Sequence, residues 1–226
     1  MLVLAVDTAT PAVTAGVVEL PPDPAGPART RAERVAHDAR RHGELLMPSV
    51  LDACAEADVR LRNLDAIVVG TGPGPFTGLR VGMVTALALA DALDVPVHGV
   101  CSLDAIAADA AATACGRFLV VTDARRREVY WAAYDEQARR QDGPHVEAPA
   151  ALVERLSAPA AVAAAGGSAA LTGLAVLEPA SPSPRGLVTV AAAAVRAGAS
   201  GAPPQPLYLR RPDAVESRSR KRVSTP

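Results

Sequence analysis

Two segments hold the residue types that chemistry could use. Asp7-Thr8 closes the apolar run Leu2–Val6 and puts a carboxylate and a hydroxyl between two predicted strands. Such a pair could hold magnesium and a nucleotide phosphate, because hard cations take oxygen ligands. The same residue types build Asx-turns and hairpin connections, and that reading is the better supported. Residues 70–80, Gly-Thr-Gly-Pro-Gly-Pro-Phe-Thr-Gly-Leu-Arg, form a strand-to-helix loop with four glycines and two prolines. Free N–H groups at a helix start attract anions. This loop has neither a G-K-[ST] ending nor a G-x-G-x-x-G register. Pro73 and Pro75 also remove two donors that an anion nest would use. A rigid loop with Thr77 capping the following helix is the expectation.

Other catalytic constellations fail on spacing. His37 and His42 are five residues apart, about 140° around a helix, and cannot share a metal as an i, i+4 pair can. Neither H-E-x-x-H nor G-x-S-x-G occurs. His98 falls in an apolar strand, where a hydrogen-bonded core histidine is expected. Cys54, Cys101 and Cys115 have no C-x-x-C spacing and read as reduced core thiols, as in a cytoplasmic protein. No catalytic residue, metal or cofactor is expected.

The elements that must position these segments alternate between strand and helix. Strands are predicted at 2–6, 13–19, near 34–36, and at 65–70, 95–100, 118–123, 128–134 and 160–165. Helices are predicted at about 43–59, 77–93, 103–113 and 187–197. A Pro-rich turn (Pro21, Pro22, Pro24, Pro27) follows the second strand, and Arg125-Arg126-Arg127 make a basic turn between two later ones. The pattern restarts near Cys101, giving α/β architecture in two lobes, 1–101 and 102–211. The polar, charged run 212–226 is expected to be disordered.

Half of the 226 residues are apolar but only 3% are aromatic, so the core must be built from Ala, Val and Leu. The net charge of -1 argues against a folded body that clamps nucleic acid. The opening run is too short for a signal segment, and no apolar stretch is expected to span a membrane. Between Gly78 and Asp91 the one charged side chain is Arg80. A helix apolar on every side must be covered on every side. Gly78, Gly82 and Ala86 form a stripe along which a second backbone could approach, either this chain's own or a second subunit's. On the preceding helix Leu46, Met47, Val50, Leu51, Ala53, Cys54 and Ala57 fill one arc, with Leu45 left among the polar residues.

Read together, these segments resemble the TsaB (YeaZ) family. Met1–Thr10 resembles its opening strand, and His42-Gly-Glu-Leu-Leu-Met-Pro48 its His-x-x-x-Leu-Leu-Pro helix start, with Met47 additional. Gly72-Pro-Gly-Pro-Phe-Thr-Gly-Leu-Arg80 resembles G-P-G-S-F-T-G-x-R, with Pro75 in place of Ser. Thr122–Arg125 with Glu128–Tyr130, and Pro206–Arg210, resemble D-A-R…E-V-Y and P-x-Y-x-R.

The resemblance implies the two-lobed actin/Hsp70/sugar-kinase-like (ribonuclease H-like) fold. It implies a non-catalytic subunit supporting threonylcarbamoyl transfer to tRNA adenosine. Its partners would be a TsaD-like catalytic subunit and a TsaE-like ATPase, with a homodimer when alone. tRNA would be met through the complex and membranes not at all. The implied dimer face is His42, Leu45, Leu46 and Val50 on one helix and Gly78, Leu79, Gly82, Met83 and Ala86 on the next. The alternative is a small ATP-binding phosphotransferase of the same superfamily using Asp7 and Thr8.

Overall fold

The computed structural model describes residues 1–38, 41–155, 161–198 and 203–210; the tail expected from 212 lies outside the described residues. The first sheet contains β1 (Leu2–Asp7), β2 (Ala12–Glu19), β3 (Arg29–His37), β4 (Ala66–Gly70) and β5 (Val97–Val100), in the order β3-β2-β1-β4-β5. α1 (His42–Glu56) joins β3 to β4, and α2 (Phe76–Leu93) joins β4 to β5. β1 is antiparallel to β2 and parallel to β4, with Leu4 opposite Val17 and Ile67. Both faces of β1 are covered, which is why it reads as a continuous apolar run. Leu4 and Val6 enter the core beneath α1 and α2. Val3 and Ala5 enter a second core on the opposite face, as the two-residue period of a strand requires.

After α3 (Ser102–Ala110) the same topology is laid down again. β6 (Phe118–Asp123), β7 (Val129–Tyr134) and β8 (Arg140–Glu147) form an antiparallel meander, and β9 (Ala163–Ala165) and β10 (Ala175–Leu177) add in parallel beyond β6. The second sheet is ordered β8-β7-β6-β9-β10, strand for strand the arrangement of the first. α3 covers one face through Leu103 and Ile106. On the other face, Trp131 and Val121 meet Leu152 of α4 (Pro149–Arg155) and Ala169 of a short 3-10 turn. This is the two-lobed α/β fold read from the sequence.

α5 (Pro184–Arg196) corrects the expected lobe boundary. Assigned by position to the second lobe, it lies on the first sheet, burying Leu187, Val188, Ala191 and Val195 against Val3, Ala5 and Val68. Ser183 caps it by accepting the Gly186 N–H at 2.9 Å, with Pro184 at the first helical position. Its last turn carries Arg196, which donates to the carbonyls of Pro21, Pro24 and Gly26 and so pins the Pro-rich turn. Each large buried side chain here contributes roughly 1.5–3 kcal/mol.

Three further expectations change. α2 has 18 residues and a mean hydropathy of 1.4, long and apolar enough by those measures to cross a membrane, though a third of it is buried against the sheet. Cys115 is exposed while Cys54 and Cys101 are buried, so it is no core thiol. His98 is buried, with its Nε2 unpartnered rather than hydrogen-bonded.

Candidate functional site: a sealed loop and an exposed helix face

The Asp7–Thr10 loop sits where the starts of three helices converge, and its polar groups are engaged by them. The Ser102 hydroxyl, in the first turn of α3, donates to Asp7 Oδ2 at 2.5 Å, and the Ala9 N–H donates to Oδ1 at 2.8 Å. Asp7 is fully buried, and burial pushes its carboxyl up to about 6, against the lowering effects of Ser102, the Ala9 N–H and His42. Gly70 lies against this carboxylate and leaves no space for even a methyl group. Ser102 also accepts the Gly72 N–H at 3.2 Å, and its own N–H donates to the Gly72 carbonyl at 2.7 Å. His42 Nε2 lies 2.9 Å from the Thr10 carbonyl.

Thr8 is inserted into the first turns of α2. Its hydroxyl donates to the Gly78 carbonyl at 2.7 Å and accepts the Gly82 N–H at 3.0 Å, bridging the two ends of one i→i−4 step. A Cβ at either glycine would collide with Thr8. The small-residue stripe therefore does admit a second backbone, but it is this chain's own loop. Gly74 likewise lies against the backbone of Ala9. With the glycine loop and the Asp7 loop in direct contact, the oxygens proposed for magnesium and phosphate are occupied by protein donors. Thr77 is not the cap expected of it: the N-cap of α2 is Pro75, with no side-chain bond.

The residues expected to form a dimer face are placed inside the chain. His42, Leu46, Val50, Gly78, Leu79, Gly82, Met83 and Ala86 are buried within it, and Leu45 is half-buried against the same core. Their stripes face the sheet, which is what makes them so apolar. The outer sides of the same helices carry a different set. Leu51 is 51% exposed, Val84 62% and Leu87 36%, with Met47 half-buried one turn before Leu51. Where the two helices approach each other, a methyl group on Gly43 would just reach the Val81 side chain. Leu51 lies on the apolar arc of the α1 wheel and is nonetheless exposed, and in a helix without polar markers nothing in the sequence separates Val84 and Leu87 from their buried neighbours.

One end of this face continues into the segment 203–210. Tyr208 stacks on Phe76 with ring centroids 5.0 Å apart, Arg80 lies 3.9 Å over the Phe76 ring, and Arg80 Nε donates to the Tyr208 hydroxyl at 3.2 Å. The Leu207 N–H donates to the Thr71 carbonyl at 2.9 Å. Three residues on, Arg210 donates to the Ala124 carbonyl at 2.7 Å and pairs with Glu128. The segment thus ties the start of α2 in the first lobe to the arginine turn of the second. Among the described residues, no group of three or more His, Cys, Asp or Glu could hold a metal.

Comparison with known proteins places this geometry in a family. A family model described as TsaD, tRNA N6-adenosine threonylcarbamoyltransferase, matches residues 32–176. An uncharacterized protein of Mycobacterium tuberculosis is 54% identical over 213 residues, covering 94% of this chain and 93% of that protein. The tRNA threonylcarbamoyladenosine biosynthesis protein TsaB of Bacillus subtilis is 34% identical over 134 residues, covering 59% of this chain and 55% of its own length. YeaZ from Pseudomonas aeruginosa has a similar solved structure, with a TM-score of 0.72 at 29% identity over 92% of this chain and 100% of that one. Sequence, topology and the glycine loop agree: the chain belongs to the TsaB/YeaZ family.

Proposed function

We propose that this chain takes part in making threonylcarbamoyladenosine in tRNA, as a subunit that binds a TsaD-like catalytic partner and performs no chemistry itself. One observation carries the reading. The outer faces of α1 and α2 present Leu51, Val84 and Leu87 to solvent, while the loop that could have served chemistry is filled by its own chain. Clustered exposed apolar side chains beside each other mark interaction surfaces. The same face serves a homodimer when the chain is alone, and a TsaE-like ATPase joins the assembly with TsaD. A cytoplasmic setting, away from membranes, follows from this role, with the apolar outer side of α2 covered by a protein partner.

The test is sedimentation of the chain with the TsaD-like subunit of the same organism. Leu51→Asp or Val84→Asp should abolish association while leaving the unfolding midpoint of the monomer, measured at concentrations too low for the homodimer, unchanged, since both side chains are at least half exposed in the single chain. Association at wild-type strength in both variants would reject this face. The phosphotransferase alternative requires ATP and magnesium to bind the purified chain. Calorimetric heat at millimolar nucleotide that disappears in Asp7→Asn would support it over the proposal.

A further inference from the structure

The exposed side of α2 carries its charges against the helix's own dipole. A helix N-terminus favours acids and a C-terminus favours bases. α2 has no acidic residue in its first turn and no basic one in its last. Instead Arg80 stands just past the first turn, and Asp91 and Asp94 stand at the C-terminal end. All three are exposed. The Arg80 guanidinium lies back over the ring of Phe76, the first residue of the helix, and its Nε donates to the Tyr208 hydroxyl, so both terminal nitrogens stay unpaired. Among the described residues, none of these three charges makes an ion pair. The single chain therefore gains nothing from where they stand.

Their spacing makes the stripe symmetric about a point between Thr85 and Ala86. At 100° per residue, Thr77, Arg80, Val84, Leu87, Ala88 and Asp91 share an arc of about 100°, and all six are exposed. Arg80 and Asp91 are equally far from that point in opposite directions, as are Val84 and Leu87, and Thr77 and Asp94. A second α2 laid antiparallel on the first, with a twofold axis at that point, sets Val84 against Leu87 of the other copy on both sides of the axis. The same register brings Arg80 level with Asp91 of the other copy. Helical side chains lean toward the N-terminus, so the guanidinium reaches on toward Asp94 of that copy as well. A parallel pair would set Arg80 against Arg80. A twofold contact requires a surface complementary to itself, and this stripe is one.

We infer that the homodimer is an antiparallel α2 pair in this register, with Arg80 of each copy bound by Asp91 and Asp94 of the other. This rests on the proposed reading of the outer helix face as an interaction surface, and adds to it an orientation, a register and the charges that set them. Tyr208 and Phe76 gain a role in it. They hold Arg80 in place beforehand, so the contact forms without ordering a long side chain.

The experiment uses two full-length variants, Arg80→Glu and Asp91→Arg with Asp94→Asn. Self-association is measured by sedimentation and native mass spectrometry in about 50 mM KCl, where surface charges are little screened. Alone, each variant sets like charges together at both ends of the contact and should weaken self-association roughly tenfold. Mixed, they set opposite charges together at both ends. The mixed dimer should form at near wild-type strength and outweigh both homodimers. Asn tolerates the left-handed backbone at position 94, and the other two side chains are exposed, so both monomers should unfold at the wild-type midpoint. Homodimers of both variants at wild-type strength, or a mixture with no excess of the mixed dimer, overturn the inference. So does a wild-type chain that stays monomeric at every concentration. Val84→Asp is run alongside, with the TsaD-like subunit as a second partner. If it leaves both associations intact, the outer face is wrong and the proposed function falls with it. If it blocks both while the charge exchange restores nothing, the face stands and this register is rejected.

Discussion

Replacing Asp7 by Asn isolates the one buried carboxylate at the convergence of the three helices. Burial raises its folded pKa from 3.8 to about 6, a difference of about two units. At about 1.36 kcal/mol per unit, its ionisation costs on the order of 3 kcal/mol at neutral pH. The sign follows from the direction. A raised carboxylate pKa means the folded state holds the proton more tightly, so the stabilisation is complete below the unfolded pKa and is lost as pH rises through 6. Asparagine cannot ionise, yet its carbonyl can still accept the Ala9 N–H and its amide can donate to the Ser102 oxygen. The Ser102 proton then loses its acceptor, a penalty of about 1–3 kcal/mol that does not depend on pH. The variant should therefore be less stable than wild type at pH 4.5 and should approach or pass it at pH 8. Of the total difference, about 2 kcal/mol should appear between those pH values. Urea unfolding, followed by fluorescence of the buried Trp131, measures it, and other carboxylates largely cancel in the difference. Parallel curves for the two proteins would refute the burial argument. A difference moving in wild type's favour as pH rises would show that Asp7 is stabilised as an anion, which a cation held there would do.

The remaining predictions probe the packing that holds the loop and the lobes. Thr8→Val removes both bonds into α2; because the Gly82 N–H and Gly78 carbonyl can then pair with each other, the loss should stay near 1 kcal/mol by urea unfolding. Leu187→Ala on α5 empties part of the core under β1 and should cost about 2–5 kcal/mol. Amides of β1 and β4 should lose hydrogen-exchange protection with it; a loss confined instead to β6 and β9 would place α5 on the second lobe. Tyr208→Ala removes the ring on Phe76 and the acceptor for Arg80, and should raise amide exchange in 203–210 while leaving the β1 core protected.

Much of this architecture was legible because local patterns carried it. β6 matched its predicted range, and α2 and β4 came within a residue, since buried parallel strands and long apolar helices announce themselves. β8 was missed because Arg140–Glu147 is an exposed edge strand containing Gln, Asp, Gly and Pro. β3 is nine residues long where three were expected, for the same reason: its outward positions are charged, and its pairing with β2 supplies the extended conformation. The placement of α5 on the first sheet needed contacts across most of the chain. The hydrogen bond from Ser102 to Asp7 spans 95 positions, and neither residue's neighbours signal the other.

The glycine stripe shows where such reading stops and what a decisive mutation must respect. Gly78 and Gly82 state that some backbone comes close, because a side chain there would collide with it. They do not state whose backbone, and both an intrachain loop and a second subunit satisfied the pattern. The structure settles that with Thr8, so Gly82→Arg drives a long side chain into the Asp7–Thr10 loop. It should unfold the first lobe, and lost assembly in that variant would say nothing about a partner. Val84→Arg, two residues on and 62% exposed, puts the same charge into solvent. At concentrations where both proteins are monomeric it should leave the unfolding midpoint within about 0.5 kcal/mol equivalent of wild type and still prevent association with the TsaD-like subunit. If Gly82→Arg folds normally while Val84→Arg assembles normally, the two helix faces have been assigned the wrong way round.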